Sequence, residues 1–165
     1  TYKVQDESGG IAQALGLAED FAGNLPVAVI LGDNIFEDPL RPYLEKFVSA
    51  GGEGAHIILK EVGDPKRFGV AEVKGDKIIS IEEKPAKPKS RLAVTGVYFY
   101  DSKVYSIIRK LKPSARNELE ITDVNNHYVK ISSMMWSAMN GWWSDAGTFE
   151  SLSNVQKLVE EKPPK

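Results

Sequence analysis

The chain contains no cysteine and only two histidines, His56 and His127. Without cysteine there are no disulfides, no thiolate metal sites and no thiol nucleophile, and a cytoplasmic location fits. The histidines are far apart, one in an apolar stretch that reads as a strand and one in a stretch that reads as a helix. That is not the spacing of metal ligands, so both read as structural. No G-x-S-x-G and no G-x-x-x-x-G-K-[ST] motif occurs, which removes two familiar ways to hold a nucleophile or a triphosphate. No apolar run approaches the roughly 18 residues of a membrane-spanning helix, and no signal peptide opens the sequence. Neither sign of charge dominates: 21 Lys and Arg stand against 23 Asp and Glu, a net charge of −2. The whole molecule therefore attracts neither nucleic acid nor an anionic membrane, and an anionic substrate must be met by local basic residues.

What is present is ordinary for one globular domain spanning residues 1–165, with 42% apolar and 27% charged residues. The opening Thr1-Tyr2-Lys3-Val4-Gln5 has no initiator Met and runs straight into patterned sequence, as a chain begun mid-protein would. Gly9-Gly10 precedes Ile11, Ala12, Ala14, Leu15, Leu17, Ala18 and Phe21 at helical spacing. Val27 to Leu31 is a continuous apolar run, the pattern of a strand buried on both faces. Asp38-Pro39 predicts an N-cap and first-turn proline for a helix with Leu40, Leu44, Phe47 and Val48 on one face.

Ala55 to Val62 reads as a second buried strand. Val70 to Val73, Ile78 to Ile81 and Leu92 to Tyr100 form a β-rich middle, divided at Lys74-Gly75-Asp76 and at Pro85 to Lys89. Asp101 predicts a cap for a helix through Leu111. Ile121 to Ile131 reads as helix and Ser132 to Met139 as strand. Thr148 predicts the cap of a last helix carrying Phe149, Leu152, Val155 and Val159. Alternating strands and helices predict an α/β fold, and the β-rich middle an inserted antiparallel portion, giving a mixed, mostly parallel sheet.

Three places suit chemistry. In Leu31-Gly32-Asp33-Asn34 an aspartate follows a buried strand, where open α/β sheets bind ligands and where a carboxylate can hold Mg²⁺. A tight turn would use the same residues. In Trp142-Trp143-Ser144-Asp145-Ala146-Gly147-Thr148 an aspartate stands ahead of a helix N-terminus, an end favourable to anions; simple capping and core packing would also explain it. Two such aspartates match the one or two carboxylates of a nucleotide–Mg²⁺ site. In Ile81-Glu82-Glu83-Lys84-Pro85 a lysine can serve a phosphate and a glutamate can accept sugar hydroxyls, although a solvated charged turn looks the same. Lys84, Lys87, Lys89 and Arg91 lack the aromatic interleaving of a nucleic-acid surface.

In order along the chain, Tyr2-Lys3-Val4-Gln5, Gly10-Ile11-Ala12-Gln13-Ala14, Gly32-Asp33-Asn34-Ile35-Phe36, Phe68-Gly69-Val70, Glu82-Glu83-Lys84-Pro85, Val94 to Asp101, Lys112 to Asp123 and Trp143 to Thr148 resemble the glucose-1-phosphate thymidylyltransferase family. The resemblance runs from Tyr2 to about Leu158. It implies a Rossmann-like nucleotidyltransferase fold, and a reaction of nucleoside triphosphate with sugar 1-phosphate to give nucleotide sugar and pyrophosphate. It implies Mg²⁺ on Asp33 and Asp145, the base at Gln5 and Gly10, and the sugar phosphate on Lys84. Glu83, Asn34, Gly69 and Val94 would contact the sugar, Trp143 would shape the pocket, and homo-oligomers would be expected.

The resemblance also implies a glycine-rich loop with an arginine and a following lysine upstream of Thr1, together with the first strand and helix of the sheet. An N-terminally truncated chain should expose an apolar sheet edge and have negligible transferase activity by itself. Phe68 stands where many relatives carry tyrosine, removing one hydroxyl from the presumed substrate contacts, and Asn117 where many carry glycine. A uridylyltransferase, or a non-catalytic module that keeps sugar-nucleotide recognition, would share most of these markers.

Overall fold

The computed structural model describes residues 1–165. In chain order its elements are α1 (Ile11–Gly16), α2 (Glu19–Ala22), β1 (Val27–Ile30), β2 (Asn34–Phe36), α3 (Arg41–Ser49), β3 (Ala55–Glu61), a 3₁₀ turn (Pro65–Arg67), β4 (Gly69–Lys74), β5 (Lys77–Glu83), β6 (Leu92–Tyr100), α4 (Val104–Ile108), α5 (Ile121–Lys130), β7 (Met134–Ala138), β8 (Trp143–Asp145) and α6 (Phe149–Glu161).

β6 is the axis of the molecule. Nearly every residue in it is apolar and buried, because helices cover both faces of the sheet around it. The two-residue strand period divides its side chains. Val94, Tyr98 and Tyr100 enter a core shared with α1, α4 and α5, while Ala93, Val97 and Phe99 pack with Phe47 of α3 and with Trp143. On one edge β6 meets β3. On the other it meets β4 at Ala93 and then β1 along Val97 to Tyr100. The six-stranded order is β5-β4-β6-β3-β7, with β1 on β6.

The sheet is mixed, as expected, but its strand pairing is mostly antiparallel rather than mostly parallel. β1, β3, β4 and β7 run in one direction, because β6 is antiparallel to the first three and β7 is parallel to β3. Only β3 and β7 are hydrogen-bonded as a parallel pair, since β6 lies among the other co-directional strands. β4 and β5 form the antiparallel insertion. No helix is long and apolar enough to cross a membrane.

Several expectations need correction. The stretch from Ile11 to Phe21 is two short helices, and Phe21 is 72% exposed because no element covers it. α3 starts at Arg41 with Pro42 in its first turn. Asp38 is not its cap: the carboxylate accepts the Gly141 N–H at 2.6 Å and meets Lys165 Nζ at 2.9 Å. β1 is an edge strand with alternating burial rather than a strand covered on both faces, and Ile30 is 55% exposed. Beside it Leu25, Pro26, Val27, Ala28, Leu44 and Val48 line a shallow apolar depression. An exposed edge is therefore present as expected. Of the apolar positions on α6, Val155 is buried while Phe149 and Leu152 are exposed. Thr148 caps this helix in a capping box with Ser151, as its position ahead of the apolar residues suggested.

His56 is a core residue, fully buried on β3. Lys46 donates to Ser137 Oγ at 3.0 Å, which leaves the serine hydrogen free for His56 Nε2 at 2.9 Å. Burial, assisted by the charge of Lys46, lowers the His56 pKa to about 4. The unfolded chain then binds a proton near pH 6.5 that the native state refuses. Stability due to this group is present above pH 6.5 and is lost as pH falls towards 4, by about 1.4 kcal/mol per unit at the steepest. Urea titrations at pH 7, 6 and 5 should show that slope, and His56→Gln should remove it. His127 is exposed on α5, away from the cleft described next.

Candidate active site

The β1–β6 pairing ends at Leu31, and a turn follows in which the Asn34 N–H donates to Leu31 O at 3.1 Å. This turn throws Asp33 out beyond the strand. Asn34, now on β2, pairs with Asp145 on β8, followed by Ile35 with Ser144 and Phe36 with Trp143. Two segments far apart in sequence are thereby joined, and both aspartates arrive at one end of a short ladder.

Their convergence is measurable at Gly147. A Cβ on that residue would lie 3.1 Å from Asp33 Oδ2 and 3.5 Å from Asp145 Oδ2. Any side chain there would fill the space between the carboxylates. The Ala146 N–H donates to Asp33 O, which fastens the two loops together.

Asn34 ties this end to the main sheet. Its Oδ1 accepts the Gly96 N–H at 3.0 Å and the Trp143 indole N–H at 2.7 Å, and its Nδ2 donates to Asp33 Oδ1 at 2.8 Å. A Cβ on Gly96 would stand 2.6 Å from the Asn34 amide, so a larger residue there would displace that side chain. Trp143 also packs against Phe68 with ring centroids 5.0 Å apart.

A cleft of about 310 Å³ opens over these groups. Asp33, Asn34, Phe68, Gly69, Glu83, Lys84, Val94, Trp143 and Asp145 all line it. Gln5 and Gly10 do not line it but sit beside Ile11, which does. Gln5 Nε2 donates to Gly10 O at 3.1 Å and to Gln13 Oε1 at 2.6 Å. Gly10 has φ +93°, and a Cβ there would lie 2.5 Å from Leu119 O, so this close crossing needs glycine.

Two cations that the sequence reading gave no role also belong to the cleft, Arg67 and Arg116. Arg67 Nη2 lies 3.1 Å from Asp145 Oδ2. Arg116 Nη2 reaches Glu120 at 2.8 Å, Glu118 at 3.4 Å and Glu83 at 3.6 Å. Hydrogen bonding to Glu120 raises the Arg116 pKa. Burial opposes ionisation of Glu120, but hydrogen bonds from Ser114 and Arg116 outweigh it and lower its pKa. Glu83 is fixed by Thr122, whose hydroxyl donates to Oε2 at 2.6 Å. The Lys84 backbone is held in a left-handed conformation, φ 44°, by its N–H bond to Phe68 O. Arg116 lies within a motif quoted for the resemblance, but nothing local shows that it turns into the cleft. Arg67 shows only as an ordinary charged loop residue.

The cleft thus holds Asp33, Glu83, Glu118, Glu120 and Asp145 against Arg67, Lys84 and Arg116. That excess of negative charge repels a phosphate ester unless a cation enters with it. Asp33 and Asp145 are the two carboxylates that converge over Gly147, and no group of three acidic or histidine side chains could hold a metal ion in an all-protein cage. Two carboxylates completed by phosphate oxygens and water suit Mg²⁺, which keeps several waters and seldom uses an all-protein cage. If a cation takes Asp145, Arg67 has to release it. Arg67→Ala is therefore expected to raise Mn²⁺ affinity by up to about fivefold, the scale of one exposed ion pair, as read by the free-Mn²⁺ paramagnetic resonance signal.

Fold and cleft together define an α/β protein that places paired carboxylates and a lysine at strand ends, the arrangement of a nucleotide- or phosphate-handling enzyme. A family model described as nucleotidyl transferase matches residues 1–162, and the chain belongs to that family. It is 42% identical over 163 residues to the glucose-1-phosphate thymidylyltransferase of Neisseria meningitidis, covering 97% of this chain and 57% of that protein. To the enzyme of the same name from Mycolicibacterium smegmatis it is 44% identical over 163 residues, covering 96% and 56%. A Bacillus anthracis crystal structure, described as a glucose-1-phosphate thymidylyltransferase in complex with a sucrose, superposes with TM-score 0.91 at 59% identity, over 98% of this chain and 65% of that one. A UDP-glucose pyrophosphorylase shares the fold at 24% identity with TM-score 0.87. The chain spans just over half the length of these curated relatives.

Proposed function

We propose that this chain is the sugar-nucleotide half of a glucose-1-phosphate thymidylyltransferase, whose whole protein converts dTTP and glucose 1-phosphate into dTDP-glucose and pyrophosphate. The observation that carries the reading is the convergence of Asp33 and Asp145 beside Lys84 and Glu83 in one cleft. Identities above 40% to proteins of that name support the choice of substrates. A phosphate oxygen of the sugar phosphate attacks the α-phosphorus of the triphosphate. One P–O bond forms, the bond to the β-phosphate oxygen breaks, and pyrophosphate leaves with the electron pair. The substrate supplies the nucleophile, so no serine or cysteine is needed.

The residues of this chain do the positioning. Lys84 holds the sugar phosphate as a point charge, and Glu83, oriented by Thr122 and faced by Arg116, accepts from sugar hydroxyls. Phe68 and Trp143 wall the pocket and keep water from one side. Asp33 and Asp145 would hold Mg²⁺, which when bound offsets repulsion between the two anionic substrates. Gln5 and Gly10 are assigned to the base by family likeness, together with a cytoplasmic setting.

Lys84→Ala is expected to weaken dTDP-glucose binding by about 1.5–3 kcal/mol, the worth of a hydrogen bond to a charged group, with thermal stability unchanged because the side chain is exposed. UDP-glucose, titrated alongside, should bind more weakly than dTDP-glucose; equal or tighter binding would reassign the base specificity. Unchanged dTDP-glucose binding in a folded Lys84→Ala protein would remove lysine from the phosphate site.

A further inference from the structure

The ladder of β2 and β8 that carries the aspartates is not paired as a strand with the six-stranded sheet, and the Asn34 side chain makes its bond to β6. A two-stranded pair is marginal alone, so its geometry depends on what fastens its two ends. The end at the cleft is fastened by the Asn34 amide. The other end is fastened at Glu37, the residue after β2, by the segment that follows α6.

Glu37 is 1% exposed although it carries a carboxylate. Its N–H donates to Trp142 O at 2.9 Å, and its Oε2 accepts the Trp142 N–H at 2.9 Å, so it extends the ladder past Phe36 and Trp143. Its Oε1 faces Lys162 Nζ at 2.8 Å and Lys165 Nζ at 3.1 Å. The same segment makes three further contacts. Lys165 N–H donates to Glu37 O at 2.9 Å, Lys165 Nζ meets Asp38 Oδ1 at 2.9 Å, and the Trp142 indole donates to Lys162 O at 2.7 Å. The close Lys162 ammonium, with the hydrogen bond from the Trp142 N–H, lowers the Glu37 pKa to about 2, so the group is charged at neutral pH. An enclosed carboxylate stripped of its cations is costly, and the chain around it moves to let water in.

We propose that Lys162 and Lys165 are positioning residues for the reaction: by neutralising Glu37 they lock the far end of the β2–β8 ladder and so set the separation of Asp33 and Asp145. Neither lysine touches substrate; both act through Glu37, Trp142 and the strand pairing. The inference rests on the reading of the two aspartates as cation ligands.

The test uses the whole chain with Lys162→Ala and Lys165→Ala combined, read by amide hydrogen exchange and by Mn²⁺ binding followed with paramagnetic resonance. Both lysine side chains are more than half exposed, so the double variant should fold. Exchange should speed up by about tenfold or more in residues 33–38 and 142–147 while β3 and β6 keep their protection, and Mn²⁺ affinity should fall by about 10–100-fold, as for lost support of a metal ligand. Lys162→Arg with Lys165→Arg should keep both properties. Adding Glu37→Gln to the double alanine variant should recover Mn²⁺ binding, because the unpaired charge is gone. Unchanged exchange in the ladder, or faster exchange spread evenly over β3 and β6, would overturn the proposal. Local loosening of the ladder in a chain whose wild type takes up no Mn²⁺ would keep the lock and overturn the role given to the aspartates.

Discussion

Asp145→Ala is expected to lower Mn²⁺ affinity by more than about 100-fold, beyond the range for losing only a ligand's supporting partner, and to remove the metal-dependent part of dTDP-glucose binding. Asp145 is one of only two carboxylates that converge over Gly147, and Mg²⁺ sites of this sparse kind have no spare protein ligand. Folding should be little affected. The bond lost is an ion pair with Arg67, whose side chain is 48% exposed, and such pairs are worth about 0–1 kcal/mol. The loss therefore separates function from stability. Asp33→Ala should behave alike for the metal. Equal Mn²⁺ affinity in wild type and Asp145→Ala would remove the carboxylate pair from the mechanism.

The second large effect is at Trp143. It is 9% exposed, packs on Phe68 and belongs to the core on the β6 face shared with Phe47 and Phe99. Trp143→Ala should cost about 3–5 kcal/mol of stability, as other large-to-small aromatic changes in cores do. Trp143→Phe keeps most of the packing but cannot donate to Asn34 Oδ1. It should cost less, about 0.5–1.5 kcal/mol for one part-buried hydrogen bond, and still weaken dTDP-glucose binding because Asn34 then loses one of its anchors. A Phe variant with wild-type binding would mean that the bonds to Gly96 and Asp33 suffice to hold the Asn34 amide. Chemical denaturation and calorimetry on the same samples give both quantities.

Much of this was legible in the sequence because the signals are local. The apolar run before Asp33 marks a strand end, and Thr148 ahead of Val155 marks a helix start, so both aspartates could be placed at the element ends where α/β folds commonly take ligands. Glu83 and Lys84 could be read in the same way, from a strand ending in charge. What local pattern does not carry is partnership. The pairing of Asn34 with Asp145, which makes one site out of two loops, spans more than half the chain. Arg116 and Arg67 look like solvated charges until the fold turns them into the cleft.

The errors have the same origin. Ile11 to Phe21 keeps helical spacing, yet the helix stops at Gly16, and Phe21 finds nothing to pack against. Asp38-Pro39 has the chemistry of a helix start, but the Asp38 carboxylate is taken by Gly141 and Lys165, so the helix begins at Arg41. β1 has the composition of a covered strand and is found at an edge, because composition reports what a strand can bury and the neighbours present decide what it does bury. Glu37, a single acidic letter beside Asp38, gave no sign of being enclosed.

The central claim is that one cleft binds a sugar nucleotide through a cation held by Asp33 and Asp145 and a phosphate held by Lys84. Calorimetric titration of the chain with dTDP-glucose, with and without Mg²⁺, tests it most directly. The expected result is saturable binding that strengthens with Mg²⁺ in the wild type, loses its Mg²⁺ dependence in Asp145→Ala and weakens in Lys84→Ala. No binding by the folded wild-type chain, or binding indifferent to Mg²⁺ and to both substitutions, would contradict it.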